Sequence, residues 1–266
     1  MRLNSFILII SIMSCVLGFD HSPASGTDYH NLVEKLVRIS GLRNQLQQFP
    51  NAFLMTIPKD LFQENRIQLV FITQMKKKID ADKLVDLFEE AFLQNQDPEK
   101  LDLTTEFYES SLGRKVGRIN GEALSGYNLK AIREARKVAT TLTENRFKLL
   151  ERIIAGQHIV SNNSAFRTLI AEILNRHQPG VIGKDHGKFL QGSTDSIRES
   201  IFTCFAYTYR SLSDTELQGL AEFGESSAGF WFHNNMTEGF KKIIAKTAQE
   251  FNEELQNLGN LSGIRR

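Results

Sequence analysis

Cysteine, proline and excess charge are scarce in this chain, and each shortage excludes a class of protein. Of the 266 residues, only two are cysteine and only five are proline. Lys and Arg number 32 against 31 Asp and Glu, so the net charge is +1. Nucleic-acid binders usually carry a basic excess or stripe, and we therefore expect no nucleic-acid partner. The 41% hydrophobic content is enough for a real core, which argues against intrinsic disorder.

Long apolar runs are also scarce, and the run near the N-terminus is too short to cross a bilayer. It covers residues 6–13, whereas a spanning helix needs about 20 apolar residues. Arg2 precedes it and compact residues follow at 16–18, which is the pattern of an export signal cleaved before Phe19. We predict a signal peptide over residues 1–18 and a periplasmic or secreted mature protein.

Cys15 leaves a second interpretation of the N-terminus open. Residues 12–15 loosely resemble a bacterial lipobox, in which Cys15 would carry a lipid after cleavage. Ordinary cleavage is the favoured interpretation, because Met13 is atypical of a lipobox. Membrane contact is expected only if Cys15 is lipidated. In either case no internal disulfide is expected, and Cys204 is predicted to be a small buried hydrophobe.

Apolar residues recur at helical spacing along most of the chain, which predicts an all-α fold. Strand-like alternation is rare, and no clear hairpin dipeptide occurs. One stretch follows the i, i+3, i+4, i+7, i+8 pattern of a buried helical face. Its apolar positions are Leu84, Leu87, Phe88, Ala91 and Phe92. Capping residues mark two helix starts, Asp97 before Pro98 and Ser213 three residues before Glu216.

One eight-residue sequence motif occurs twice, at residues 106–113 and at residues 222–229. Six of the eight positions are identical, at a constant offset of 116. Such a repeat predicts a tandem duplication of one helical unit, with the two units packed into one helical bundle-like body. The predicted parts are a unit 1 (30–125), a helical linker (126–145), a unit 2 (146–256) and a frayed tail (257–266).

The favoured interpretation of the repeated motif is a structural corner between two helices. Its serines cap the second helix, its glycine allows close packing in the first turn, and its phenylalanine wedges the corner. The alternative is a functional site in which glutamates and serines face a cleft, or in which glutamates bind a cation between the units. The motif residues are Phe107, Glu109, Ser110, Ser111, Gly113 and Arg114 in unit 1, and Phe223, Glu225, Ser226, Ser227 and Gly229 in unit 2.

The six histidines are not spaced along the sequence as the ligands of a metal site or the residues of a catalytic site would be. They are His21, His30, His158, His177, His186 and His233. None forms a His-Glu-x-x-His helix or a comparable ligand set, so neither a metal nor another cofactor is predicted. No catalytic residue is predicted either, because neither motif serine has a histidine base nearby at a matching position.

Three adjacent aromatic residues, Phe230, Trp231 and Phe232, follow the second copy of the motif, where the first copy has none. On a helix they point in different directions, so at least one is expected to lie off the core face. The favoured interpretation is a contact between the two units. The alternative is a docking surface for a partner or a lipid.

The first copy of the motif resembles the hallmark of bacterial exported proteins of domain-of-unknown-function family 2059. That hallmark has an aromatic pair, a Ser or Thr near a helix break, then Leu-Gly and a polar or basic residue, as residues 107–115 have here. Ser111 stands where the family often has Pro, and the second copy departs further at Gly224 and Phe230. The resemblance is strong over residues 84–114 and over the corresponding stretch of the second copy. It implies an all-helical, periplasmic or secreted protein with no assigned activity.

Three functions follow from these observations as hypotheses. The leading one is a non-enzymatic binding or structural module of the bacterial envelope, whose partner is a protein or a hydrophobic ligand. One alternative is a carrier of a lipid or small hydrophobic ligand, which requires a sizeable apolar cavity. The other is a hydrolase assembled between the units, which requires a histidine within hydrogen-bond reach of Ser110, Ser226 or a carboxylate.

Overall fold

The computed structural model describes residues 26–56, 65–123, 129–156 and 194–262. Within these ranges the backbone forms eleven α-helices and no β-strand, which confirms the all-α prediction. In chain order the helices are α1 (Gly26–Ile39), α2 (Leu42–Thr56), α3 (Asn65–Lys78), α4 (Ala81–Gln94), α5 (Pro98–Glu109), α6 (Ser111–Glu122), α7 (Leu129–Thr140), α8 (Glu144–Gly156), α9 (Thr194–Thr208), α10 (Asp214–Glu225) and α11 (Ser227–Ser262). The predicted signal peptide with Cys15, and four of the six histidines, lie outside the described residues.

The long helix α11 belongs to the second half of the chain (α7–α11) and packs against helices of the first half (α1–α6). It packs along α3, α4 and α5 of the first half and against α10 of the second. On its other sides α4 contacts α1 and α2, while α8 lies against α9 and α10. The helices therefore form one bundle-like body in which the two halves pack against each other.

Aromatic and aliphatic side chains from both halves fill the core. Phe88 of α4 packs edge-on against Phe240 of α11, with 4.9 Å between the ring centroids. Gly239 leaves room for this ring, since a Cβ there would lie 2.5 Å from a Phe88 ring carbon. Cys204 is 4% exposed, as its apolar surroundings in the sequence predict. The largest fully buried side chains are Phe88, Phe92, Phe232, Leu36, Leu42, Leu46, Met75, Leu101 and Leu150.

The starts of α5 and α10 follow the predicted capping chemistry. Asp97 accepts a hydrogen bond from the backbone N–H of Lys100 at 3.1 Å, with Pro98 in the first turn. Ser213 accepts from the N–H of Glu216 at 3.1 Å, and the Glu216 carboxylate accepts from the N–H of Ser213 at 2.7 Å. Both caps are confirmed, and they begin the two helices that lead into the repeated corners.

The turn between α1 and α2 rests directly on the backbone of α6, a contact that no sequence motif predicts. Gly41 has a positive φ of 85°, which is favourable for glycine because it lacks a Cβ. A Cβ at Gly41 would lie 2.1 Å from the carbonyl oxygen of Gly117, and one at Gly117 would lie 2.2 Å from that of Ile39. The close crossing therefore requires glycine on both sides.

The predicted linker and tail contain helix where they are described. α7 falls within the linker range 126–145 and packs against α9. The backbone of α11 continues to Ser262, through most of the range for which the sequence predicts a frayed tail. A single glycine costs only about 1 kcal/mol in a helix, so Gly259 does not end α11. Across the described ranges, no helix has the length and apolar character that a bilayer span requires.

Candidate functional site

The two copies of the repeated motif form two helix corners with the same hydrogen bonds. α5 turns into α6 at Ser110, and α10 turns into α11 at Ser226. Each of these serines accepts from the N–H of the glycine three residues later, at 3.0 Å in both corners. Each hydroxyl also donates to the phenylalanine carbonyl three residues earlier, at 2.6 Å and 2.7 Å respectively. Both hydroxyls are thus engaged with the backbone, whereas the following Ser111 and Ser227 are exposed.

Gly113 and Gly229 lie at positions where a side chain has no room. A Cβ on Gly113 would lie 1.9 Å from the carbonyl oxygen of Phe107, and a Cβ on Gly229 would lie 1.9 Å from that of Phe223. The obstructing atoms belong to the backbone of the preceding helix, so they cannot move aside without opening the corner. The two corners share one geometry, and the duplication that would explain it stays a prediction.

The motif glutamates pair with basic side chains from other helices. Glu109 lies 2.7 Å from the ammonium of Lys35 on α1. Glu225 accepts two hydrogen bonds from Arg152 on α8, at 2.8 and 2.7 Å, and these hold the pKa of Glu225 below its ordinary value. Arg114 donates to the carbonyl of Glu109. The glutamates therefore tie the corners to neighbouring helices, and no three His, Cys, Asp or Glu side chains of the described residues are grouped as metal ligands.

The two corners meet through their phenylalanine side chains. The rings of Phe107 and Phe223 stack with their centroids 3.8 Å apart and their planes within 3° of parallel. Tyr108 and Phe232 pack beside this pair, with 5.2 Å between their own centroids. Equivalent residues of the two motif copies thus contact each other directly.

The three aromatic residues after the second corner divide into two buried residues and one exposed residue. Trp231 is 7% exposed and Phe232 is 1% exposed, whereas Phe230 is 47% exposed. The indole N–H of Trp231 donates to the carbonyl of Asn95 at 3.0 Å, and its ring packs edge-on against Phe92. Trp231 and Phe232 are therefore contacts between the halves rather than a docking surface, and Phe230 alone of the three faces outward.

His233 belongs to the aromatic cluster beside the second corner. It is 5% exposed, and its ring centroid lies 6.3 Å from that of Phe223 and 5.4 Å from that of Phe232. The nearby Ser226 hydroxyl donates to the backbone of its own corner. His30, the other described histidine, is exposed. Within the described residues, these contacts do not assemble the serine–histidine pair that a hydrolase requires.

A small internal cavity of about 30 Å³ lies beside the stacked rings. Its lining includes Gln45, Tyr108 and His233. Gln45 is 1% exposed, and none of the described residues donates a hydrogen bond to its side-chain oxygen. Burial raises the pKa of the Tyr108 hydroxyl well above its ordinary value, so this group stays protonated. The cavity has about the volume of one water molecule and is far too small for a lipid.

A much larger opening lies between residues 78–93 and residues 246–250. This opening, termed the α4–α11 groove, has a volume of about 620 Å³. Its floor is formed by Ile79, Leu84, Leu87 and Leu93. Sites for small molecules have volumes of roughly 300–1,000 Å³ and mostly apolar walls. The groove therefore has the size of a ligand site and an apolar floor, while seven of its twelve lining residues are charged.

Most charged side chains along the rim of the α4–α11 groove are paired. Lys246 lies 2.8 Å from the carboxylate of Glu250, and Lys78 lies 3.5 Å from the same residue. The hydrogen bond from Lys246 is the main cause that lowers the pKa of Glu250. Glu90 pairs with Lys242 at 3.1 Å. An apolar floor is thus bounded by charged side chains, three basic and four acidic.

The groove also corrects one sequence expectation. Helical spacing predicts Leu87 on the buried face of α4, whereas the structure places it on the groove floor, partly exposed. Leu84 and Phe88 of the same stripe are buried as predicted. The sequence signal for the groove is the width of the apolar face of α4, because Leu87 and Leu93 pack against the edge of the core and also line the groove.

No protein-family model, curated protein or solved structure matches this chain. The resemblance to family 2059 therefore stays a prediction that rests on the motif residues.

A buried carboxyl on the opposite side of α4 makes stability depend on pH. Glu89 is 6% exposed, and burial raises its pKa above the ordinary value of 4.5. Glu34 and Asp86 raise it further, whereas His30 and Arg43 oppose the shift. The folded state therefore keeps the proton to a higher pH than the unfolded chain, so stability falls as the pH rises from about 4.5 through the folded-state pKa. Glu89→Gln is expected to stabilise the protein at pH 7 and to have little effect at pH 4.

Urea unfolding of both proteins at pH 4, 5, 6 and 7 measures this difference. Glu106→Gln is the matched control, because it makes the same change at an exposed position on α5. A gain from Glu89→Gln that is the same at every pH would contradict the assignment to this carboxyl.

Proposed function

We propose that this protein is a non-enzymatic binding protein whose ligand site is the α4–α11 groove. The observation that carries the proposal is the groove itself, about 620 Å³ with a floor of leucine and isoleucine side chains. Covering apolar surface yields roughly 25 cal/mol per Å². An apolar ligand is therefore the expected occupant. The proposal thus combines the binding-module hypothesis with the hypothesis of a carrier for a hydrophobic ligand.

The repeated motif supports this function by acting as a frame. Ser110 and Ser226 use their hydroxyls as helix caps, and Glu109 and Glu225 use their carboxylates in ion pairs. The second corner fixes the start of α11, which forms one wall of the groove. Binding is favoured over hydrolysis, because the motif groups that a hydrolase would use are already engaged in holding the helices together.

The proposed place of action is the bacterial envelope. Arg2 and the short apolar run at residues 6–13 support export, because they form the pattern of a secretion signal. The resemblance of the motif to exported proteins of family 2059 supports the same assignment. A protein that takes up an apolar ligand in the periplasm fits both patterns, and a lipid on Cys15 would place it at the membrane surface.

A hydrocarbon dye tests the groove directly. 1,6-Diphenylhexatriene fluoresces only in apolar surroundings, and we expect saturable binding to the wild-type protein. Leu87→Glu places a carboxylate on the groove floor, where a bound hydrocarbon cannot solvate it. The affinity measured by fluorescence titration should fall at least about tenfold, which corresponds to about 1.4 kcal/mol.

Leu103→Glu is the matched control, because Leu103 is 45% exposed on α5 and does not line the groove. Its dye affinity should equal that of the wild type. Circular dichroism of both variants checks that the helices are intact. The proposal is wrong if the wild type does not bind the dye, or if the two leucine variants bind it equally well.

A further inference from the structure

We infer that the ligand of the α4–α11 groove is a cationic amphiphile, an apolar chain that carries one ammonium group. Its head group lies at the end of the groove where Lys78 contacts glutamates of α11, and its chain covers the apolar floor. Long-chain amines and quaternary ammonium compounds belong to this class. The inference rests on the proposed function and names the class of its ligand. Two features carry it: the sign of the charge around the groove, and the confinement of the surplus charge to one end.

Carboxylates outnumber ammonium groups at the Lys78 end of the groove. Three glutamates of α11 share the Lys78 ammonium, at 3.5 Å for Glu250, 3.8 Å for Glu253 and 3.5 Å for Glu254. The other lysine at this end is Lys246, and it pairs with Glu250, which Lys78 already contacts. Two ammonium groups therefore serve three carboxylates, so one negative charge at this end is left without a counter-charge.

Asp80 adds a fourth carboxylate at the same end. Its backbone N–H donates to the carbonyl of Lys78 at 3.0 Å, in the turn that joins α3 to α4. The Asp80 side chain is exposed, lines the groove and caps α4. The positive end of the α4 dipole offsets part of this charge, and the remainder adds to the surplus. Lys76 and Lys77, the neighbouring lysines of α3, are exposed and do not line the groove.

Further along α4 the acidic and basic side chains are equal in number. Lys83 and Asp86 lie three residues apart on this helix and both line the groove. Glu90 pairs with Lys242 at 3.1 Å. The surplus of negative charge is therefore confined to the Lys78 end, next to an apolar floor. An ammonium head group is attracted to this end and a carboxylate head group is repelled from it, while an apolar chain is accepted in both cases.

Displacement of 1,6-diphenylhexatriene from the wild-type protein tests the sign of the head group. The three competitors are decylammonium, 1-decanol and decanoate, which have the same chain length and are used at pH 7 below the concentrations at which they form micelles. An exposed charge pair changes an affinity by about two- to fivefold. Attraction of one head group and repulsion of the other act together, so decylammonium should displace the dye at a concentration at least about fivefold below that of decanoate.

Glu253→Gln removes one of the carboxylates at a side chain that is 49% exposed, so the fold should be retained. Displacement by decylammonium should weaken about two- to fivefold. Displacement by decanoate should strengthen, and displacement by the uncharged 1-decanol should not change. Lys83→Gln should have the opposite effect on the two charged competitors, because it removes a positive charge from the groove lining.

Glu238→Gln is the matched control, because it makes the same change on α11 at a carboxylate that pairs with Lys241 and does not line the groove. All three competitors should act on it as they do on the wild type. The inference is overturned if decanoate displaces the dye as well as decylammonium does, or if Glu253→Gln changes all three competitors by the same factor. Either result leaves dye binding intact, whereas failure of the proposed function removes dye binding from the wild type.

Discussion

Replacing Gly113 with alanine should lower the free energy of unfolding by about 2–3 kcal/mol, although alanine is the better helix former. The new Cβ would lie 1.9 Å from the carbonyl oxygen of Phe107 and 2.5 Å from the Cα of Tyr108. Both obstructing atoms are backbone atoms, so the first corner has to open and the cap from Ser110 is weakened. Urea unfolding followed by circular dichroism measures the loss.

Gly219 on α10 provides the matched control for this substitution. A Cβ there would meet only the Leu112 methyl group, at 2.9 Å, which is the far end of a flexible side chain. Helix propensity favours alanine over glycine by about 1 kcal/mol, so Gly219→Ala should be neutral or stabilising. Gly229→Ala should behave like Gly113→Ala, because its Cβ would meet the second corner at the same distance. Similar losses at Gly113 and Gly219 would refute the assignment to the corner.

The corners could be predicted from the sequence because their chemistry is local. Ser110 and Ser226 act on glycines three residues later, and Ser213 acts on a glutamate three residues later. Partners this close along the chain are identified by spacing alone. The helical class is predictable for the same reason, since the apolar spacing of each helix is complete within three or four turns.

Contacts between distant parts of the chain could not be predicted in this way. Gly41 meets Gly117, and Phe107 stacks on Phe223, but none of these residues carries a local signature of its partner. The groove is a contact of the same kind, because its walls come from α4 and α11. Helical spacing places Leu87 on an apolar face, yet it does not show whether another helix covers that face.

The groove arises where the second half of the chain departs from the first. α6 ends at Glu122, and the position 116 residues later in α11 is Glu238. Beyond that position α11 continues to Ser262 and packs along α3 and α4. Thr247 and the other α11 residues of the groove lie in this extension. The part of α11 without a counterpart in α6 therefore supplies one wall of the candidate site, and α4 supplies the other.

Phe232→Ala should cost about 3–5 kcal/mol, the range typical of truncating a fully buried phenylalanine. The Phe232 ring lies within 6.4 Å, centroid to centroid, of the rings of Phe92, Tyr108 and Phe223. Two of these neighbours belong to the first half and one to the second. Truncation therefore removes contacts on both sides of the interface, and it enlarges the internal cavity that Phe232 already lines.

Phe230→Ala is the matched control, because it makes the same change two residues earlier on the same helix. Phe230 is 47% exposed, whereas Phe232 is 1% exposed. Surface substitutions usually change stability by no more than about 0.5 kcal/mol. Urea midpoints at an unchanged m-value should thus separate the two variants clearly. Equal losses would mean that Phe230 is buried as Phe232 is, which would contradict its outward position.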